Sequence, residues 1–224
     1  MKRFSMLFLA VSSMLVANAL HAEEATAKAE VCKSKECATA CKDGGCPISA
    51  AMKQLPQMTY KVGKESTCCS QSAAALAKKH DAKVQFVVAK KVFDDEAKAT
   101  LALTEETEKF VTKFTSAKTC KVSGKTTVAG KELCCPTSAA QTAKLVKAAM
   151  DKVQVTYLVG DKECHCPNEA KAIAVKTKAK TQFVVAGEKT CCSVQSRLNL
   201  ARAKYKAAVE AVVATDKKTE SDKS

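Results

Sequence analysis

The residues of this chain best suited to chemistry are its thirteen cysteines, most of which occur in close pairs. The pairs are Cys68-Cys69, Cys134-Cys135, Cys164-His165-Cys166 and Cys191-Cys192, and Cys120 stands apart from them. Each pair lies a few residues after a glycine and opens a segment that predicts a helix. Unpaired backbone N–H groups at a helix N-terminus favour the thiolate form of cysteine. Because thiolates bind soft metals and attack disulfides, the pairs indicate metal or thiol chemistry.

An internal duplication sets the elements around these pairs. The segment Gln57–Gly63 matches Gln154–Gly160, and Ala82–Ala89 matches Ala179–Ala186, both at an offset of 97 residues. Their β-branched and aromatic residues predict strands, and the glycines that follow predict turns. We therefore predict two tandem copies of a helix–strand–turn–cysteine-pair–helix unit, with small sheets covered by helices. The alternation of short strands and helices favours βαβ-like pairing within an α/β or α+β fold.

Charge and hydropathy divide the chain into five segments. Lys2 and Arg3 precede an apolar run, Met6–Val16, that is too short to span a membrane, as in a secretory signal peptide. The predicted segments are a signal peptide at 1–22, a mobile cysteine-containing arm at 23–45, repeat halves at 46–118 and 119–214, and a disordered tail at 215–224. We therefore expect an exported protein, periplasmic or extracellular, with no transmembrane segment after signal cleavage.

Export to an oxidising compartment makes disulfides the default expectation for these cysteines. Their odd number leaves at least one thiol free, bridged to another molecule or bound to metal. A separate N-terminal cluster contains Cys32, Cys37, Cys41 and Cys46. This cluster is either a metal-binding loop or a pair of disulfides that hold the arm in place.

The two halves differ in their cysteines. Four cysteines of the second half have no cysteine counterpart in the first: Cys134, Cys164, Cys191 and Cys192. In place of Cys191-Cys192 the first half has Asp94-Asp95, and aspartate is a good helix N-cap, so the helix start does not require sulfur. The joint absence predicts either one four-thiolate site or two disulfides. By contrast, Cys166 keeps the counterpart Cys69 at the offset of 97 residues, and Cys135 keeps the counterpart Cys46 at an offset of 89, where Cys46–Ala51 matches Cys135–Ala140.

One stretch resembles the YHS/TRASH class of small metal-binding knuckles. The matching residues are Cys120-Lys121-Val122-Ser123-Gly124 and Val128-Ala129-Gly130-Lys131-Glu132-Leu133-Cys134-Cys135. The family pattern has a cysteine near a Ser/Cys-Gly turn, a Gly-Lys hairpin and a Cys-Cys pair that opens a helix. The resemblance implies that Cys120, Cys134 and Cys135 are ligands of zinc or copper. The chain departs from the pattern at Leu133, where an aromatic residue is usual, and at Ser138, where a further cysteine often lies.

Three functions are compatible with these patterns. The favoured one is the binding of thiophilic metal ions, zinc or copper, for sequestration or buffering. Its candidate ligands are Cys68, Cys69, Cys120, Cys134, Cys135, Cys164, Cys166, Cys191 and Cys192. The first alternative is a disulfide-stapled structural or interaction protein of the cell envelope that binds no metal. The second alternative is a thiol–disulfide redox protein, although no Cys-x-x-Cys occurs in a thioredoxin-like context.

Other classes of function have less support from the sequence. Outside the signal peptide only His80 and His165 remain as histidines, so no nucleophile–histidine arrangement is predicted. We expect His165 to face solvent, on the opposite side of a short strand from its cysteine neighbours. The net charge of +14 comes mainly from lysine, with three arginines and no tryptophan, which is typical of a solvated coat rather than of specific nucleic-acid binding. We therefore predict a basic protein that is not an enzyme.

Overall fold

The chain is built from β-hairpins that each lead directly into a helix. The computed structural model describes residues 46–221, beginning with the short helix α1 (Pro47–Met52). The hairpin–helix units that follow are β1 (Met58–Val62), β2 (Glu65–Thr67) and α2 (Ser70–His80); β3 (Val84–Val88), β4 (Lys91–Phe93) and α3 (Glu96–Thr115); β6 (Thr126–Val128), β7 (Lys131–Leu133) and α4 (Pro136–Asp151); β8 (Thr156–Val159), β9 (Lys162–Cys164) and α5 (Pro167–Thr177); and β10 (Thr181–Val185), β11 (Glu188–Thr190) and α6 (Ser193–Ser221). A two-residue strand, β5 (Lys118–Thr119), precedes the third unit.

A fixed spacing of buried residues explains why every unit folds alike. The last residue of the first strand is a valine, and eleven residues later a small residue lies in the first turn of the helix. These pairs are Val62 with Ala73, Val88 with Ala99, Val128 with Ala139, Val159 with Ala170, and Val185 with Ser196, all of them buried. A small side chain lets the helix approach the hairpin closely, so that the valine is covered.

The hairpin turns have the two-residue loops that the glycines predict. Val128 pairs with Lys131, which leaves only Ala129 and Gly130 in the loop. Their φ angles of 46° and 81° are both left-handed, as a type I′ hairpin requires. Glycine has the second loop position here, whereas Gly63 and Gly160 have the first position of their loops, with φ angles of 59° and 60°. In each case glycine adopts the left-handed conformation without strain.

All strand pairs of the described chain are antiparallel, and they form three small sheets. The first sheet has the order β2-β1-β3-β4, the second β5-β6-β7, and the third β11-β10-β8-β9. The α+β alternative is therefore correct, and the predicted βαβ-like pairing is wrong. Two-residue hairpin loops permit only antiparallel neighbours, and the central strands β1 and β3 also pair antiparallel.

Each four-stranded sheet is itself a pair of similar units. At the centre of the first sheet Tyr60 lies opposite Phe86, with ring centroids 5.8 Å apart. At the centre of the third, Tyr157 lies opposite Phe183 at 5.7 Å. The duplication seen in the sequence therefore contains a smaller one: in each half, two hairpin–helix units related by 26 residues share one sheet.

The helices α3, α4 and α6 pack together into the main apolar core. Tyr205 of α6 is fully buried, and its ring contacts Phe110 and Phe114 of α3 at centroid distances of 5.5 and 4.8 Å. Its hydroxyl donates a hydrogen bond of 3.1 Å to the carbonyl of Ala51, which holds α1 on this core. Leu103 of α3 clusters with Leu198 of α6, and each leucine precedes the aromatic contacts in its own helix. Both helices pass these two contacts in the same order, so α3 and α6 run parallel.

The predicted segments compare with the structure as follows. The repeat halves 46–118 and 119–214 pack into one compact unit through α3 and α6. Helix α6 continues to Ser221, beyond the start of the tail predicted as disordered at 215–224, because no glycine or proline interrupts the chain there. The signal peptide at 1–22, the arm at 23–45 and the arm's cysteines, Cys32, Cys37 and Cys41, lie outside the described residues.

Candidate metal-binding site

A cysteine stands directly before the helix in four of the hairpin–helix units described. These cysteines are Cys69, Cys135, Cys166 and Cys192, and Cys46 has the same place before α1. In each case the cysteine carbonyl accepts the first backbone hydrogen bond of the helix, for example from Ala139 N–H to Cys135 at 3.0 Å. The backbone around Cys135 is extended (φ −101°, ψ 124°), as at an ordinary N-cap. The spacing of the unit thus fixes where each thiol is presented.

The N-cap thiols of α2 and α4 are biased towards thiolate. Neither Cys69 nor Cys135 makes a capping hydrogen bond of standard geometry. The backbone N–H of Ser72 nevertheless lowers the pKa of the Cys69 thiol, assisted by the Ser72 hydroxyl. The backbone N–H groups of Ser138 and Thr137 lower the pKa of Cys135 in the same way. Both side chains are exposed, so the thiolates are open to a ligand from solvent.

Cys120 lies in a tight turn that also favours its thiolate. Its backbone N–H donates to the carbonyl of Lys125 at 2.8 Å, and its carbonyl accepts from Gly124 N–H at 2.9 Å. The hydroxyl and the backbone N–H of Ser123 then lower the pKa of the exposed Cys120 thiol. The Ser-Gly element of this turn therefore acts on the sulfur directly.

The second sheet brings Cys120 to the same end as the Cys134-Cys135 pair. Thr119 of β5 and Leu133 of β7 both pair with Thr126 of the central strand β6. Cys120 and Cys134 are the next residues of their chains, so both leave the sheet beside Thr126. With two strand spacings between them, their Cα atoms are about 10 Å apart. Three exposed cysteines thus lie at one end of a three-stranded sheet.

The other cysteine pairs lie far from this end of the second sheet. Cys192 lies at the N-terminus of α6, whereas Leu133 packs against the buried cluster that contains Ala208 and Val212 of the same helix. At 1.5 Å per residue, the Cys191-Cys192 and Cys134-Cys135 pairs are separated by roughly 25 Å along α6.

The cysteine pairs of the third sheet are also separated from each other, by about three strand spacings. Strands β9 and β11 form opposite edges of the third sheet and run antiparallel, so Cys166 and Cys191 leave it at opposite edges and ends. Cys68 and Cys69 follow β2, at an edge of the first sheet. The structure therefore does not bring Cys134, Cys164, Cys191 and Cys192 together, either as one four-thiolate site or as two disulfides.

Cys164 differs from the other predicted ligands because it is part of the core. Its side chain is only 5% exposed and packs with Val159 and Ala170. The thiol donates to the carbonyl of Tyr157 at 3.7 Å, and burial raises its pKa. Cys164 is the last residue of β9, the second strand of its hairpin, and Leu133 has the same position in β7 of the third unit. A thiol at this position serves as a small apolar side chain.

His165 occupies the position that Cys134 has in the third unit. It is exposed, as predicted, and its ring nitrogen Nδ1 lies 3.3 Å from the hydroxyl of Thr156 on the neighbouring strand. The pair at Asp94-Asp95 shows the same local fold without sulfur. There the Asp95 carboxylate accepts from Lys98 N–H at 2.8 Å, which confirms that an N-cap aspartate replaces cysteine in this fold.

No group of three Cys, His, Asp or Glu side chains within residues 46–221 is arranged to hold a metal ion. Each cysteine pair supplies two neighbouring thiols, and at the end of the second sheet Cys120 supplies a third thiol nearby. The sequence did not reveal this grouping through the duplication, which highlights Cys191-Cys192 instead. The local resemblance at residues 120–135 did place Cys120, Cys134 and Cys135 in one set.

None of the helices in the described part of the chain has an apolar stretch long enough to cross a membrane.

Comparisons with known proteins add no relative to this description. No protein-family model, curated protein or solved structure matches the chain.

Proposed function

We propose that this protein is exported and binds thiophilic metal ions, zinc or copper, through exposed cysteines at helix N-termini, and so sequesters or buffers them in the cell envelope. The observation that carries the proposal is the shared position of Cys120, Cys134 and Cys135 at one end of the second sheet. Thiolate sulfur is the donor that these metals prefer.

The electrostatics of this end of the sheet support metal binding. Hydrogen bonds from Ser123 and from the first turn of α4 lower the pKa of Cys120 and Cys135. A metal ion displaces fewer protons from such thiols, so binding near neutral pH is less costly. The charge of Glu132 opposes the lowering of the Cys120 pKa. The donors we propose are the three sulfurs, which soft metals prefer.

Binding by all three cysteines requires a local movement. The separation of about 10 Å between Cys120 and Cys134 exceeds what one tetrahedral ion spans. The turn from Cys120 to Lys125 is exposed and lies beyond the end of β5, so it can close over β6 without disturbing the core. Copper(I), which needs fewer ligands than zinc, fits the adjacent pair together with Cys120 after this closure.

Elemental analysis combined with thiol counting tests the proposal. The mature protein is purified under reducing, metal-replete conditions and compared with a Cys134→Ser/Cys135→Ser variant. The control is Cys164→Val, which removes a thiol from the core and leaves the surface unchanged. We expect the double variant to lose the metal bound at the end of the second sheet, which elemental analysis measures as metal per chain. The Cys164→Val control should keep this metal. Absence of metal with reduced thiols would refute the proposal. Near-complete oxidation without metal, in protein isolated from its own compartment without reductant, would establish the disulfide-stapled alternative.

A further inference from the structure

A cleft at the N-terminal ends of α3 and α6 is separate from the cysteine end of the second sheet. Its volume is about 480 Å³, within the range of small-molecule sites. The linker that follows α1 forms one wall, and β1 and the two helices form the others. Apolar contacts come from Leu55, Met58, Leu103 and Leu198, and the polar side chains include Tyr60 and Arg202.

The guanidinium of Arg202 is the unusual group in this cleft. The Arg202 side chain is partly buried, and within the described chain its guanidinium has no ion pair or hydrogen bond, so its nitrogens keep only their remaining contact with solvent. Burial lowers its pKa, and Glu188 opposes this shift only through longer-range attraction. A charge that loses water without gaining a partner is unfavourable. Glu96 is the other charged residue of the lining, and it is exposed at the rim.

A second arginine on the same helix shows what a paired guanidinium looks like here. Arg197 binds Glu108 of α3 with two hydrogen bonds, Nε to Oε1 at 3.1 Å and Nη2 to Oε2 at 2.8 Å. Arg202 has no such carboxylate, although it is the more buried of the two. The forked geometry that Arg197 offers to Glu108 is therefore still available on Arg202 for a carboxylate from outside.

We infer that this cleft binds a small organic anion, an apolar body that carries a carboxylate or sulfonate, with Arg202 as its counter-charge. The apolar body lies against Leu103 and Leu198, and the anionic group faces the guanidinium. Gln195 and Thr100 are already engaged, because Gln195 donates to Asn199 at 2.9 Å and Thr100 to the carbonyl of Glu96 at 2.8 Å. Gln57 and Tyr60 are further polar groups of the lining, but Arg202 is the one positively charged side chain among the described residues that form it. The anionic group is thus recognised mainly by Arg202.

Fluorescence titration of the mature protein with 8-anilinonaphthalene-1-sulfonate tests the inference. N-phenyl-1-naphthylamine, which has the same rings without the sulfonate, is the neutral control. We expect one saturable site for the sulfonate, and at least about tenfold weaker binding by Arg202→Gln. Arg197→Gln removes the same charge outside the cleft and should bind like the wild type. The neutral probe should bind the wild type and Arg202→Gln equally.

A cleft-filling variant keeps the inference testable if Arg202→Gln folds poorly. Thr100→Phe places a ring in the cleft from the partly exposed face of α3 and should abolish binding of both probes. Equal loss of sulfonate binding in Arg197→Gln and Arg202→Gln would show general attraction to a basic surface and overturn the inference. Binding that survives Thr100→Phe would also overturn it, since the probe would then bind elsewhere.

Discussion

Cys120 and Cys134 leave the same end of the second sheet because the residues before them, Thr119 and Leu133, are both paired with Thr126. The two cysteines are fourteen residues apart in sequence, and the intervening strand β6 sets the distance between them. A separation of about 10 Å is too long for a disulfide, which needs Cα atoms within about 7 Å. It is short enough for the exposed turn that begins at Cys120 to close on a metal, as we propose.

The first prediction concerns the ligand role of Cys120. Replacement by serine removes one thiolate from the end of the second sheet, and we expect metal affinity at the Cys134-Cys135 pair to fall at least about tenfold. Competition with a chromophoric chelator measures this affinity. The Cys68→Ser variant is the control, since Cys68 lies on the first sheet and its loss should not affect that affinity. An unchanged affinity in Cys120→Ser would remove Cys120 from the site.

The second prediction follows from the directions of the thiol pKa shifts. Hydrogen bonds lower the pKa of Cys69, Cys120 and Cys135, whereas burial raises that of Cys164. For the first three, iodoacetamide should therefore react at lower pH in the folded protein than in urea. Cys164 should react only after unfolding. Peptide mass spectrometry over a pH series measures each residue separately, with the urea-unfolded chain as its own reference. Rapid labelling of Cys164 in the native protein would contradict its burial.

The third prediction separates the structural thiol from the chemical ones. Cys164→Val keeps an apolar side chain of similar size, so the free energy of unfolding should change by less than about 1.5 kcal/mol. Cys164→Ser buries a hydroxyl in the same cluster and should lower it by about 1–3 kcal/mol. Urea unfolding of the reduced protein gives both values. Equal stability of the two variants would show that the position is more polar than the structure indicates.

The fourth prediction concerns the joint between α1 and the helical core. Tyr205→Phe removes the hydrogen bond to Ala51 and should lower the free energy of unfolding by about 0.5–1.5 kcal/mol. Tyr205→Ala also leaves a cavity beside Phe110 and Phe114 and should cost about 3–5 kcal/mol. Chemical denaturation measures both. A loss for Tyr205→Phe as large as that for Tyr205→Ala would mean that the hydrogen bond, rather than the ring, dominates.

Local patterns in the sequence predicted the elements well. The strands at Met58–Val62 and Thr181–Val185 and the helices that follow the cysteine pairs were expected from β-branched runs and alanine-rich segments. What failed was the pairing of strands, because periodicity along one chain does not tell which strands are neighbours. The second strands of the hairpins, such as Glu65–Thr67, are three residues long and carry too weak a pattern to identify.

The site was harder to predict because the repeats mislead. Comparison of the two halves, at an offset of 89 residues for Cys134 and of 97 residues for Cys164 and Cys191, grouped these three cysteines because the first half has no cysteine at the matching positions. The structure places Cys164 in the core and the other two about 25 Å apart along α6. The eleven-residue spacing from Val159 to Ala170 held the missing information: counted from the valine, it places Cys164 where the other units have Thr67, Phe93, Leu133 and Thr190.

The measurement that tests the central claim most directly is metal protection of individual cysteines. The reduced protein is labelled with iodoacetamide with and without one equivalent of zinc or copper(I), and labelling is read residue by residue. We predict that Cys120, Cys134 and Cys135 are protected together, in proportion to bound metal, and are released by a chelator. Equal labelling of these three cysteines with and without metal would contradict the claim that this end of the second sheet binds it.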